Sequence, residues 1–561
     1  MNISQTIAEL TAPDAFFEVV SDSFCGREYP VFKHAPQAVT ELIQNARGHA
    51  EAEFLIYRDQ RLRFCDFFAA AESLLGYFQT QGLKPGDRVA IAMKNRPEWL
   101  IAFAAAVMGG AVAVPINSWG QRDDLLFALQ DSGASWLICD DARGRAVEDF
   151  LETERRLLVY EHDAAEPVRG VLFDEALAQE HVGALYEASA EDPCMMLYTS
   201  GSTGAPKGVM HRHRPIVQAV FNMMFTGFVA MTIEGARELR GGAEQEKALL
   251  NVPLFHGTGL LGSFVLPMVT GQAVVIMPKW DAQEALRLID RERVTMFSSV
   301  PALVKSLLIQ DNFDDFDTRS LQRLSSGGAA VPSDLPALVS QRFEEVSNSA
   351  GYGMTETLAV GSTASGKLYD MRPKSSGVLS PIIDMRFVDP EGAVLSPGES
   401  GEIEMRGITV TEGYWNRPEA SAQVLSEEGW LKSGDVGHVD TDGFLFITGR
   451  IKEIVIRGGE NIFPGDVEQQ CYAIDAVQDC VVFGVPDETL GEELVLIVRP
   501  KEGESIHEAQ MREALQDRLP AYKVPKHIVI STEPLLRGAT EKFDKLAIRA
   551  QFLAGVSDVN E

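Results

Sequence analysis

Tyr198–Val209 reads YTSGSTGAPKGV, and the apolar run Cys194–Leu197 leads straight into it. Gly201, Gly204 and Gly208 let the backbone turn tightly and bring its N–H groups close to an anion. Thr199, Ser200, Ser202 and Thr203 add hydroxyl donors, and Lys207 adds a positive charge on a flexible stem. A Ser/Gly linker would not follow a buried strand or end in Pro-Lys-Gly. The spacing also departs from the Walker pattern, where Lys follows Gly and precedes Ser or Thr. The segment therefore reads as a phosphate-binding loop on an α/β sheet, but not that of a P-loop NTPase.

Outward from this loop, residues 50–350 alternate short Val/Ile-rich runs with helical patterns. Strands are expected at Arg88–Met93, Ala111–Pro115, Trp136–Cys139 and Ala273–Met277, and helices at Glu98–Met108 and Ala282–Arg291. That is βαβ repetition, the pattern of doubly wound sheets. The uncharged runs Leu100–Ile116 and Leu260–Pro278 approach membrane-span length. Gly109-Gly110 and Pro115 break the first, and Pro267 and Gly271 break the second, so each reads as a buried helix running into a buried strand. Residues 375–450 become Gly-punctuated and alternating, as at Gly401–Arg406 and Gly443–Thr448, which suggests hairpins or a partial barrel. The last 110 or so residues read as a compact α+β unit, and residues 231–247 as an exposed insertion loop.

The 561 residues correspond to about three or four folding units at roughly 150 residues each. With 50 Lys+Arg against 81 Asp+Glu, the formal charge of −31 is the wrong sign for a nucleic-acid scaffold. Six scattered cysteines without CxxC spacing read as reduced thiols. The acidic first twenty residues carry no basic n-region, so no secretory signal is expected. A cytoplasmic protein without a membrane span is the expectation. Against the acidic background, residues 521–549 hold six basic side chains (Lys523, Lys526, Arg537, Lys542, Lys545, Arg549) and three acids. Such a local cluster suits a polyanion.

Further motifs follow the loop in order: PLFHGTGL (Pro253–Leu260), SGGAAVP (Ser326–Pro332), GYGMTET (Gly351–Thr357), GYWNRPEA (Gly413–Ala420), SGDVG (Ser433–Gly437), GRIKEIVIRGGENIFPGDVE (Gly449–Glu468) and RGATEKFDK (Arg537–Lys545). Together they resemble the adenylate-forming superfamily, most closely the acyl-CoA synthetases, over residues 50–549. The resemblance implies an α/β fold: a large N-terminal domain of doubly wound sheets plus a small β-barrel-like unit, and a small mobile α+β C-terminal domain. The boundaries it suggests are 1–449 (β-rich about 375–449), a hinge at 450–452, and 453–561.

It also implies ATP, Mg²⁺ and CoA as cofactors, and activation of a carboxylic acid to acyl-AMP before transfer to CoA. Thr199, Ser200, Gly201, Ser202, Thr203, Gly204 and Lys207 would hold the β- and γ-phosphates. Thr355 would contact the α-phosphate, and Glu356 would carry the metal. Gly328, Ala329 and Tyr352 would wall the adenine, Asp435 would accept the ribose hydroxyls, and Arg450 would assist it. Lys542 would be the adenylation lysine, although Glu541 stands where the family usually has Gly. Lys452 would be the hinge, with Gly458 and Gly459 in the pantetheine tunnel.

The place where amino-acid-activating relatives usually carry Asp is taken here by His256, which resembles the gate of an acyl pocket. An uncharged fatty or aryl acid is therefore expected over an α-amino acid. The candidate walls are Phe221, Met223, Met224, Gly257, Val300, Gly327, Ala350 and Gly351. The runner-up is a stand-alone ligase loading a carrier protein, followed more distantly by a luciferase-like monooxygenase and a non-catalytic nucleotide-binding homologue. A homodimer is left open.

Overall fold

The structure is a computed structural model and describes residues 3–150, 155–160, 168–178, 183–199, 206–234, 245–327, 335–343, 346–538 and 542–557. The β-rich runs build two large sheets. One has seven strands in the order Lys207–Arg212, Pro193–Thr199, Val112–Pro115, Arg88–Ala92, Trp136–Asp140, Arg156–Val159, Val171–Leu172. All its neighbours are parallel except the first pair, which returns antiparallel with Thr199 opposite Lys207. The second has nine strands, whose parallel centre runs Ser347–Tyr352, Arg323–Gly327, Met296–Ser299, Lys247–Leu250, Ala273–Ile276, Glu53–Tyr57. Antiparallel strands close both of its ends.

The two span-like runs lie inside this frame. Leu100–Ile116 is the end of the helix Pro97–Met108, a tight Gly pair, and the strand Val112–Pro115. Every residue of that helix except Glu98 is buried. The helix starts one residue before the expected Glu98, because Pro97 occupies its first turn, where the missing N–H costs nothing. Gly110 is left-handed at φ +75°, and a Cβ there would lie 2.5 Å from the Tyr186 ring, so no other residue fits. Leu260–Pro278 is likewise a π-helical turn, a short helix ended by left-handed Gly271, and the strand Ala273–Ile276.

One helix, His213–Glu234, has the length and apolarity of a membrane span, but 56% of its apolar window is buried. It packs against the N-terminal helix Ile3–Leu10 and the strand Ser362–Ser365. Its last turn corrects the expected loop at 231–247. Met231–Glu234 stay helical, with Thr232 Oγ1 donating to Phe228 O at 2.8 Å, because Phe228–Glu234 hold no Gly or Pro, and 235–244 lie outside the described residues.

Residues 383–450 form a four-stranded antiparallel meander, Ile383–Val388, Gly401–Gly407, Leu431–Val439, Leu445–Arg450. The strand expected from Gly443 starts at Leu445, since Gly443 turns at φ +86°. After Arg450 comes a single 3-10 turn, Ile451–Glu453. A separate five-stranded sheet follows, with the helices Pro464–Tyr472 and Lys545–Ser557 packed against the strand Val477–Asp487. Four of the six cysteines are buried, Cys25 is exposed, and all are unpaired.

Candidate active site

The paired strands Pro193–Thr199 and Lys207–Arg212 set Thr199 opposite Lys207 at one end of the sheet, while Ser200, Gly201, Ser202, Thr203 and Gly204 lie outside the described residues. The Lys207 ammonium sits 4.7 Å over the Tyr414 ring, and the Tyr414 hydroxyl donates to Glu356 Oε1 at 2.8 Å. Glu356 is buried in the short turn Thr355–Thr357 that follows the strand Ser347–Tyr352. Burial raises its carboxyl pKa, and the Tyr414 hydrogen bond, Lys207 and Arg450 oppose that shift. The turn itself is strained, with Leu358 and Ala359 at φ 55° and 61°. Gly353 is required beneath it, because a Cβ would meet Ala359 C at 2.4 Å.

A second cluster stands on the meander. Asp435 and Arg450 pair across adjacent strands, with Arg450 Nε 3.0 Å from Asp435 Oδ1. The Tyr352 hydroxyl donates to Asp435 Oδ2 at 2.9 Å. Burial raises the Asp435 pKa despite both partners. Gly328 and Ala329 lie outside the described residues.

The C-terminal unit reaches the same place. Lys542 sits in a narrow turn with Arg537 opposite Phe543, and its carbonyl accepts from Gly538 N at 2.8 Å. Lys542 is exposed, yet desolvation lowers its pKa. Arg450 lowers it further and Asp435 opposes. Glu541 lies outside the described residues. Burial first, then the Lys542 charge, pushes the His256 imidazole down to about 4.

Several of the candidate wall residues are small. Gly327 pairs with Gly351 and Ser326 with Ala350, and Val300 directly follows Ser299, which pairs with Ser326. A Cβ on Gly327 would meet only Gly351 O, at 3.9 Å, and one on Gly262 would meet nothing within 4 Å. Met223 and Met224 are half-buried on the His213–Glu234 helix. Phe221 is placed differently from the other candidate walls. Its ring stacks on Phe16 at 6.0 Å and lies 6.4 Å from Phe32, in an aromatic cluster under the N-terminal segment. Lys452 lies in the 3-10 turn after Arg450, and Gly458 and Gly459 are both left-handed in the turn between two short strands.

Two contributors were not assigned from sequence. Tyr414, although inside a quoted motif, links Lys207 to Glu356. Asp131 accepts from Tyr198 Oη at 3.0 Å and from Arg417 Nη2 at 2.6 Å, and its carbonyl takes Trp415 Nε1 at 3.1 Å. It thereby pins the Tyr414 loop to the phosphate-loop strand. Among the described residues no cluster of three or more His, Cys, Asp or Glu could hold a metal by itself. A magnesium ion fits such a site, because it takes one or two carboxylates plus substrate phosphates and water. Glu356, whose ionised form burial disfavours, has the chemistry to gain from one.

His211 and His213 are also buried, their imidazoles pushed down to about 3 and about 4 chiefly by desolvation. The Val39 N–H donates to His213 Nδ1 at 3.2 Å. With His256, these are three neutral histidines whose folded pKa lies below the unfolded value near 6.5. Below that value the unfolded chain binds protons that the folded chain refuses, so stability is lost as pH falls toward 4. Each site contributes a slope of up to about 1.4 kcal/mol per pH unit. Melting temperature against pH from about 7 to 4 should therefore fall steeply, and His211→Leu should flatten the curve.

Known proteins resemble this chain over most of its length. A model of the AMP-binding enzyme family matches residues 42–415, and one of the AMP-binding enzyme C-terminal domain matches residues 466–540. The chain is 34% identical to a feruloyl-CoA synthase from an Amycolatopsis species, over 91% of this chain and 98% of that protein. It is 31% identical to a long-chain-fatty-acid–CoA ligase of Bacillus subtilis, over 86% of this chain and 89% of that one. An anthranilate CoA ligase solved with anthranoyl-AMP superposes with a TM-score of 0.81 at 25% identity, covering 92% of this chain and 97% of its own. The o-succinylbenzoate CoA synthetase of Bacillus subtilis, solved with ATP and magnesium ion, gives 0.74 at 27% identity, covering 91% and 98%.

Proposed function

The chain belongs to the AMP-binding enzyme family, and from that premise we propose which of its groups carry the chemistry and which acids it takes. It is an AMP-forming acid–CoA ligase that uses ATP. A carboxylate oxygen attacks the α-phosphorus of ATP, the bond to pyrophosphate breaks, and acyl-AMP forms. The CoA thiolate then attacks the acyl carbon, and the carbon–oxygen bond to AMP breaks.

What supports the assignment of roles is the linkage of Lys207 to Glu356 through Tyr414 and the cluster of Asp435 with Arg450 and Tyr352. Lys207 and the hydroxyls of 199–203 take the outer phosphates, and Thr355 takes the α-phosphate. Asp435, its carboxylate already oriented by Tyr352 and Arg450, accepts the ribose hydroxyls. Lys542 is aimed where negative charge grows on the phosphoryl oxygens, and such placed charge is worth most in a desolvated site. Mg²⁺ held by Glu356 would neutralise phosphate charge when bound.

The C-terminal unit, turning about Lys452, then withdraws Lys542 and brings Gly458 and Gly459 to the thiol's path. The Gly458 and Gly459 backbones are already left-handed, and side-chain-free residues leave a tunnel open.

For the acid, an uncharged aryl or aliphatic tail fits best. Burial and the Lys542 ammonium are what shift His256, so a substrate ammonium would meet a like charge at this wall. Val300, Gly327, Ala350 and Gly351 are small or apolar, with Met223 as an adaptable surface. The test is pyrophosphate release over cinnamates, benzoates, medium- and long-chain fatty acids and α-amino acids, with and without CoA. Sustained CoA-dependent turnover on an uncharged acid is expected. Best rates on an α-amino acid, or indifference to CoA with transfer to a carrier protein instead, would overturn this reading.

A further inference from the structure

Lys305 lies on the helix Pro301–Leu308, which starts directly behind the pocket residue Val300, and it is only 6% exposed. Burying a lysine is costly unless its ammonium finds partners. Two of its partners come from the C-terminal unit. Lys305 Nζ donates to Gln478 O at 3.2 Å and sits 5.1 Å over the Tyr472 ring. Gln478 falls at the register break between Val477 and Asp479, so it has no partner in the strand pairing. Such an irregularity releases and re-aims a backbone group. Tyr472 ends the helix Pro464–Tyr472, and its hydroxyl accepts from Cys480 N at 3.4 Å, which fixes the ring beside the same strand. A ring face and a carbonyl, presented from one helix–strand junction, thus hold a cation from the other side of the cleft.

We propose that Lys305 is a latch that holds the C-terminal unit in the orientation presenting Lys542, and hence a positioning residue for the adenylation step alone. This rests on the two-orientation reading above. If the unit turns about Lys452, Gln478 and Tyr472 leave Lys305 together with Lys542. The latch therefore stabilises one orientation and contributes nothing to the other.

The test separates the half-reactions. Lys305→Met keeps an unbranched stem and removes the ammonium. It should lower acyl-AMP formation by about tenfold or more, since either a desolvated cation–π contact or a hydrogen bond from a charged group is worth that much. Thioester formation from supplied acyl-AMP should stay unchanged, and Lys305→Arg should recover most of the loss. Tyr472→Leu should act in the same direction, and combined with Lys305→Met it should add less than its separate effect. Tyr472→Leu carries the test if Lys305→Met fails to fold. Equal loss in both half-reactions, or no change in their ratio, overturns the latch. Lys452→Pro, measured in parallel, keeps the two failures apart. If it stalls the thioester step while Lys305→Met leaves the ratio unmoved, the latch alone is wrong. If it leaves full turnover, the two-orientation reading is wrong as well.

Discussion

Lys542→Ala is expected to lower acyl-AMP formation by about a thousandfold, the upper range for losing one preorganised charge at a developing anion. Thioester formation from supplied acyl-AMP should hardly change. The asymmetry follows from where the ammonium sits. Partial desolvation and the Arg450 charge lower its pKa, and the Asp435 charge opposes them. A lysine in that setting gains most when phosphate charge arrives to meet it, and that happens only in the first half-reaction. The same shift predicts the sign of the pH effect. The ammonium is lost at a lower pH than for a free lysine, so acyl-AMP formation should decline on the alkaline side, while the thioester step should not share that limb. His256, pushed down to about 4, is neutral throughout and should add no inflection between about pH 6 and 9. The measurements are pyrophosphate exchange and single-turnover thioester formation on the same preparation. Equal loss of both halves would remove Lys542 from its role.

Much of this arrangement could be read in the sequence, for a physical reason. Phosphate chemistry needs glycines, hydroxyls and a lysine packed into a few consecutive residues, so the loop at Tyr198–Val209 shows itself locally. The buried parallel strands also show themselves, since both faces are covered and the runs are continuously apolar. What could not be read is what only folding brings together. Asp131 is an ordinary helical acid in sequence, yet it meets Arg417 across 286 residues and holds the Tyr414 loop in place. Tyr414 was visible inside a motif, but its bridge between Lys207 and Glu356 depends on a contact between two sheets. The apolar character of Phe221 was plain, whereas which helix face met the N-terminal aromatic cluster was not. Nothing in the sequence around Lys305 records that a carbonyl freed by a strand irregularity arrives from the other unit.

Lys452→Pro is expected to leave acyl-AMP formation largely intact and to slow thioester formation about a hundredfold or more. Lys452 occupies the middle of the 3-10 turn Ile451–Glu453, where φ lies near −60°. Proline locks φ close to −65°, so it suits the orientation seen here and resists any large change. Proline also disfavours the helical region for the preceding residue, Ile451, which predicts a modest loss of adenylation from a slightly distorted turn. The turn is exposed, and Lys545 holds both Glu453 and Glu468 at 3.0 Å, which ties the end of the turn to the C-terminal unit. A rotation that carries Lys542 out must therefore be absorbed upstream of Glu453, and the proline stands there. Gating of this kind sets many turnover rates, since closure and release are slow relative to chemistry. Pre-steady-state mixing should show acyl-AMP accumulating at a near-normal rate, followed by slow decay when CoA is added. Normal steady-state turnover in the variant would mean that the chain bends elsewhere. Slowing of both steps by the same factor would mean that the proline has damaged the resting orientation instead of arresting its exchange.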